Sequence, residues 1–292
     1  MAAKKHHFIP KSFLAAWSDD GTVDGRLFVL DRSSGRHWVS SPLNSGFETH
    51  LYRIDVVDTE SPDLSESEIE DAFMNIESAA IPTFKRLLDG ESGLLGLGRV
   101  NISLFLATLI MRVPARLKWI QRLLQLPANR AIELAAARDQ ERDPAIDALL
   151  DLNTKNAQLA MMLRAVRTLT QLLMARQWTV LRTDSDAGDL ICTDMPVLLN
   201  WIKPVANGEQ PGFGLVNTAV FVPIGPLTAL VGLWDATPTN AFLTRTQVAS
   251  WNAELLRAMD RFVFCRTDFF ALQKSGQLHQ REDVLKCWNG QS

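Results

Sequence analysis

A chain of 292 residues with 47% hydrophobic content is long enough to bury a substantial core. Its formal net charge of −3 and pI near 6.0 exclude a surface built throughout for nucleic acid or anionic membrane, leaving only a local patch open. Cys192, Cys265 and Cys287 show no paired spacing and sit in or beside apolar segments, which argues for reduced thiols in a cytoplasmic setting and against structural zinc. The first residues lack the apolar core of a signal peptide, and the charge-free run from Ala219 to Trp234 is broken by Pro223, Gly225 and Pro226, so neither export nor a membrane span is expected.

Taken in order, His6-His7-Phe8-Ile9-Pro10 leads into a short apolar helix carrying Phe13, Leu14 and Trp17. Leu27 to Asp31 and His37 to Ser40 flank the turn Ser33-Ser34-Gly35, the pattern of a β-hairpin. A third strand, Phe47 to Ile54, carries Tyr52 and runs into an acidic loop. Ser65 or Ser67 caps a helix in which Ile69, Phe73, Ile76 and Ala80 follow the 3.6-residue period. A second long helix starts near Asn101 with a stripe of Ile102, Phe105, Leu106, Leu109 and Val113, and Pro114 kinks or restarts it. Ala128 to Arg142 and Lys155 to Arg176 are helical by the same periodicity.

The pattern changes at Gln177. Trp178 to Arg182 and Leu190 to Thr193 read as strands joined by an Asp184 to Gly188 turn, followed by strands at Ala219 to Val222 and Leu227 to Leu233. A helix from Thr244 to Met259 and a strand from Arg261 to Cys265 complete the series. The implied fold is α+β: a mainly helical middle layer packed on small antiparallel sheets contributed by the N-terminal and C-terminal parts. A single domain over 1–292 is expected, with sub-regions 1–64, 65–176 and 177–292.

Polar residues set into apolar patterns mark the candidate site. Adjacent His6 and His7 point to opposite faces of a strand, or about 100° apart on a helix, so one imidazole rather than two is available to a given site. Neutral imidazole suits a general base or metal ligand; a satisfied buried histidine is the alternative. Glu70 and Glu77 project from one side of their helix. Arg112 follows Phe105 and Leu109 on an apolar face, where an unpaired guanidinium is costly, so an ion pair with Glu70 or Glu77 is expected. Asp194, ending an apolar strand before Pro196, is placed either to ligate a divalent metal or orient His7, or to bond nearby backbone N–H groups as an Asx turn. Thr193 and Asn252 stand with Arg112 as candidate substrate-binding side chains, backbone hydrogen bonding being the alternative for Asn252.

The motifs His6-His7-Phe8-Ile9-Pro10, Ile69-Glu70, Ile76-Glu77, Arg112-Val113-Pro114, Leu190 to Pro196, Val222 to Pro226 and Trp251-Asn252 resemble, in order, the bacterial domain-of-unknown-function family 4238. That family favours Thr, Ser and Asn where this chain has Cys192, Thr193 and Met195. The resemblance locates positions and implies no settled activity.

Segments 100–131 and 152–183 carry Arg112, Arg116, Lys118, Arg122, Arg130, Lys155, Arg164, Arg167, Arg176 and Arg182 with no acidic residue. They could face nucleic acid or another phosphate-bearing ligand, or simply be solvated helix faces. Phosphate-loop, nucleophile-elbow, zinc-helix and dinucleotide-binding motifs are all missing. Two functional expectations follow. One is a hydrolase of metal-assisted phosphodiesterase or nuclease type, with His6 or His7, Asp194 and one of Glu70 and Glu77 converging on a divalent metal while Arg112 binds an anion. The other is a non-catalytic binding or interaction module in which the same residues form a structural polar network.

Overall fold

A computed structural model describes residues 5–53, 68–137, 155–184, 186–203, 205, 208–235, 241–268, 270–274 and 277–279. The expected caps Ser65 and Ser67, the acidic loop, the helix beyond 137 and Cys287 lie outside the described residues.

Strand β1 (Lys5–His7) pairs antiparallel with β4 (Phe47–Thr49). Helix α1 (Lys11–Leu14) and a 3₁₀ turn follow β1 and bury Phe13, Leu14 and Trp17. The expected third strand stops at Thr49 because His50 takes a left-handed conformation (φ 57°), which turns Tyr52 away from the strand and into the core. The hairpin β2 (Leu27–Asp31) and β3 (Arg36–Ser40) forms as the alternation indicates.

Helix α2 (Glu68–Leu88) is continuous through Pro82 and buries Ile69, Phe73, Ala80, Phe84 and Leu87 on one stripe. Helix α3 (Gly96–Met111) begins a turn earlier than its apolar stripe suggests, and it meets α4 (Pro114–Ala137) at a 65° bend. Pro114 makes that bend by restarting the helix at a position where its missing N–H costs nothing. Pro127, by contrast, leaves α4 unbroken on an exposed face, so one helix spans the region where a boundary near Ala128 is expected. Helix α5 (Lys155–Ala175) packs on α3 and α4 and completes the helical layer.

The later strands are β5 (Gln177–Arg182), β6 (Cys192–Thr193), β7 (Leu198–Trp201), β8 (Thr218–Gly225), β9 (Thr228–Leu233), β10 (Ala241–Phe242) and β11 (Phe262–Cys265). Helix α6 (Arg245–Ala258) opens with a Thr244/Gln247 capping box. A short hairpin, β12 (Leu272–Lys274) and β13 (Gln277–His279), follows β11. One sheet has the order β10-β5-β9-β8-β7 and is mixed, since β10 joins β5 in parallel. The other, β3-β2-β11-β6, is antiparallel and interleaves strands from both ends of the sequence. The expected hairpin of Trp178 to Arg182 with Leu190 to Thr193 does not form, because β5 pairs with β9 and β6 pairs with β11 in a different sheet.

The fold is α+β. Its first core lies among α2, α3, α4, α5 and the inner sheet faces; its second surrounds α6. Period-two alternation splits β2 between them, Leu27 and Val29 facing the first and Leu30 the second. Where α2 crosses β8, a Cβ on Gly225 would stand 2.7 Å from Leu88, so glycine permits the close approach.

Candidate functional site

Strand β1 splits the two histidines as alternation requires: His6 is 2% exposed and His7 half-buried. His6 Nδ1 accepts the Tyr52 backbone N–H at 2.8 Å, and its ring stacks on the Tyr52 ring at 5.7 Å between centroids. His7 Nε2 lies 3.3 Å from the Leu43 carbonyl, a contact that assigns the proton to Nε2. Burial pushes His7 down to about 4, with Lys11, Arg112 and Lys5 acting in the same direction and the Leu43 carbonyl opposing them, so the ring is neutral at neutral pH.

Arg112 caps α3 and is 1% exposed. Its Nη1 donates to Glu77 Oε1 at 2.7 Å, and Nη2 donates to the His7 backbone carbonyl. The guanidinium lies over Phe73, 4.6 Å from the ring centroid, while the Tyr52 hydroxyl donates to the Arg112 carbonyl. Desolvation works against the charge, but Tyr52 and Glu77 outweigh it and hold Arg112 above its ordinary range. The expected ion pair between adjacent helices is therefore made, with Glu77 as partner. Glu70 lies near Tyr52 on the same side of α2, where its charge adds to the burial that raises the Tyr52 phenol. His6, His7, Glu77, Arg112 and Tyr52 thus form one cluster with Glu70 at its margin.

Asp194, Thr193 and Asn252 belong to a second centre. The Asp194 carboxylate accepts three backbone N–H groups, from Asp260 at 3.0 Å, Arg261 at 2.6 Å and Phe262 at 2.9 Å. Burial pushes Asp194 up to about 6 against the pull of these amides. The donors lie 66 to 68 residues away in sequence, so neither the role of orienting His7 nor the local Asx turn describes Asp194; it fastens the turn before β11. The local turn is made by Thr193, whose Oγ1 accepts the Met195 N–H at 3.2 Å. Asn252 is fully buried: Oδ1 accepts from Ile191, and Nδ2 donates to the Asp189 and Ala271 carbonyls. Its alternative reading, backbone hydrogen bonding, is the geometry observed.

With this geometry in hand, one comparison is decisive: a family model for a protein of unknown function, DUF4238, matches residues 5–269. The chain belongs to the DUF4238 family. No curated protein and no solved structure matches it.

In this DUF4238 chain a cavity of about 60 Å³ is lined by sequence neighbours of the first cluster and by Asp194 of the second centre. Phe8 comes from the opening motif, Val113 and Pro114 from the Arg112 motif, and Asp194 from the strand-end motif; Glu48, Lys118, Asp260 and Arg261 add charges of both signs. Among the described residues, no group of three or more His, Cys, Asp or Glu side chains is placed to hold a metal ion. The predicted donor set of His6, His7, Glu70, Glu77 and Asp194 is split between two centres and does not fit a divalent cation.

Sequence reasoning misses three buried polar anchors. Arg176, fully buried, donates to the carbonyls of Thr218, Gly232 and Phe213 and to the Thr218 hydroxyl. Asp31 takes a bidentate pair from Arg261, which holds its carboxyl well below the usual range, and Asp189 takes another from Arg266. A charged residue at the end of an apolar strand or helix is the signal available for Asp31 and Arg176. Part of the basic segments is engaged within the chain. Lys155 donates to the His50 carbonyl, Arg182 to those of Leu87 and Glu91, and Arg130 pairs with Glu133. Lys118, Arg122, Arg164 and Arg167 remain exposed.

Proposed function

We propose that this chain is a non-catalytic binding or interaction module whose motif residues are the frame of its binding surface. The observation that carries the reading is Asp194: both carboxylate oxygens are occupied by backbone amides of the turn before β11. Three of the roughly four acceptor sites of this carboxylate are taken by the fold, which supports a fastening role over that of a nucleophile, general base or metal ligand, although Asp194 also lines the cavity. Arg112 supports the same reading, since its buried guanidinium is held by Glu77 and the His7 carbonyl rather than open to an anion.

The cavity of about 60 Å³ is where a ligand would meet the motifs, and exposed Glu48, Lys118 and Asp260 suit a small polar ligand of mixed charge. A phosphate-bearing partner would meet exposed Lys118, Arg122, Arg130, Arg164 and Arg167. Reduced Cys192 and Cys265, both buried on opposite faces of one sheet, are consistent with a cytoplasmic setting. No single helix among the described residues is long and apolar enough to cross a membrane. The shared sheet of β2, β3, β6 and β11 favours one folding unit over the whole chain.

The test sets this reading against a metal-assisted hydrolase. Calorimetric titration with Mg²⁺, Mn²⁺ and Zn²⁺, alongside hydrolysis of an activated phosphodiester, is expected to show neither saturable metal binding nor turnover. Metal-dependent turnover abolished in a folded Asp194→Asn variant would overturn it.

A further inference from the structure

We propose that the outward face of α4 docks flat on an anionic phospholipid surface. Arg116, Trp119, Leu123, Leu126, Arg130 and Leu134 recur at intervals of three or four residues, which gathers them along one side of the helix. Leu117, Ile120 and Leu124 turn the other side to the core. The outward side is apolar where a solvated helix is polar: Trp119 is 48% exposed, Leu126 58% and Leu134 44%. An arginine stands at each end of the run from Trp119 to Leu126, and exposed Arg122 lies beside it.

Charge points to an anionic occupant. Glu133 is the only acidic side chain in α4, and its pair with Arg130 is exposed on both sides, so it exchanges readily for a phosphate. Arg116 is the more telling residue. It is half-buried, its Nε is shielded from solvent without a hydrogen-bond partner, and among the described residues no acidic group offsets the burial that holds it below its ordinary range. A phosphate brought against the helix supplies the missing acceptor and counter-charge together.

The apolar side chains choose among anions. Nucleic acid offers phosphates but nothing that covers Leu126 and Leu134, and Trp119, the one aromatic residue of α4, is too little for base stacking. A protein partner must present an acidic rim around a groove cut to this stripe. A lipid surface holds phosphate and hydrocarbon in adjacent layers, meets a convex helix without a preformed groove, and places tryptophan at their boundary. With 24 residues, α4 extends about 36 Å along such a surface. None of the stripe's side chains lines the motif cavity, so the proposal holds or fails independently of the function proposed above.

Flotation with phosphatidylcholine vesicles containing about 30% phosphatidylserine is expected to carry the chain, with binding at least about tenfold weaker to phosphatidylcholine alone and lost as salt rises from about 0.05 to 0.5 M. Arg122→Gln should weaken binding about fivefold and Leu126→Gln about tenfold, whereas Arg36→Gln, exposed on β3, should leave it unchanged. Circular dichroism is expected to be unchanged in all three, because each side chain is exposed. The blue shift of tryptophan emission on vesicle binding should disappear in Trp119→Phe. Failure to bind the anionic vesicles would overturn the proposal, as would equal binding to neutral ones or indifference to both α4 variants. Binding to a random-sequence DNA duplex but not to vesicles would overturn it in favour of a nucleic-acid surface.

Discussion

At the scale of single residues, the buried Arg112 guanidinium is the most consequential side chain in the opening cluster. Removing it leaves Glu77 and the His7 carbonyl without their donor inside apolar packing, so Arg112→Ala should cost about 3–5 kcal/mol in urea unfolding. Glu77→Gln keeps an acceptor and should cost roughly 1–3 kcal/mol, with the double variant markedly less than additive. His7 gives a pH signature. Its pKa falls from 6.5 unfolded to about 4 folded, so the unfolded chain binds the extra proton between those values. Its contribution is therefore complete above pH 6.5 and lost as pH falls towards 4. Partial exposure screens the effect to about 1–2 kcal/mol. His7→Gln should remove that slope and leave the opposite one set by Asp194, which burial raises from 3.8 to about 6, while the acid limb that begins below 3.8, where the contribution of Asp31 starts to fade, stays unchanged. The Arg112 pair was legible in the sequence because a helix fixes which residues share a face, and a cation on an apolar face needs a partner. The partners of Asp194 were not, because backbone amides 66 to 68 residues away leave no local pattern.

At the scale of elements, the turn between α6 and β11 hangs on one carboxylate. Asp194→Asn retains an acceptor but introduces a donor facing N–H groups, and should lower stability by about 2–4 kcal/mol with the circular dichroism spectrum of the folded state unchanged. Thr193→Val loses a single local bond and should cost about 1 kcal/mol by the same denaturation measurement. Gly225→Ala tests the crossing of α2 over β8: the new carbon stands 2.7 Å from the terminal methyl of half-buried Leu88, which can swing aside, so a loss of no more than about 1 kcal/mol is expected. Helices, hairpin β2–β3 and the restart at Pro114 follow from periodicity and proline chemistry. Strand partnership does not. β5 and β6 are near neighbours in sequence, yet the choice between pairing with each other and pairing with β9 and β11 is made by which apolar face each must bury.

Across the whole molecule, the motif residues act as fasteners between parts distant in sequence. Arg112 ties α3 to α2 and β1; Asp194 ties β6 to the entry of β11; Asn252 ties α6 to the stretches at Asp189, Ile191 and Ala271. That role accounts for polar residues recurring in an otherwise apolar pattern without requiring that they meet at one reaction centre. Arg176 takes the same principle furthest. Lying just after α5, it is held at about 10 by burial, so it remains a cation at neutral pH while donating to acceptors at Phe213, Thr218 and Gly232. The end of the helical layer cannot detach without stranding that charge and freeing the carbonyls of β8 and β9. Amide protons of α5 and of the β8–β9 ladder should consequently exchange with solvent at a common rate under mildly denaturing conditions, as a single cooperative opening unit. In Arg176→Met the two sets should separate, the helix exchanging first.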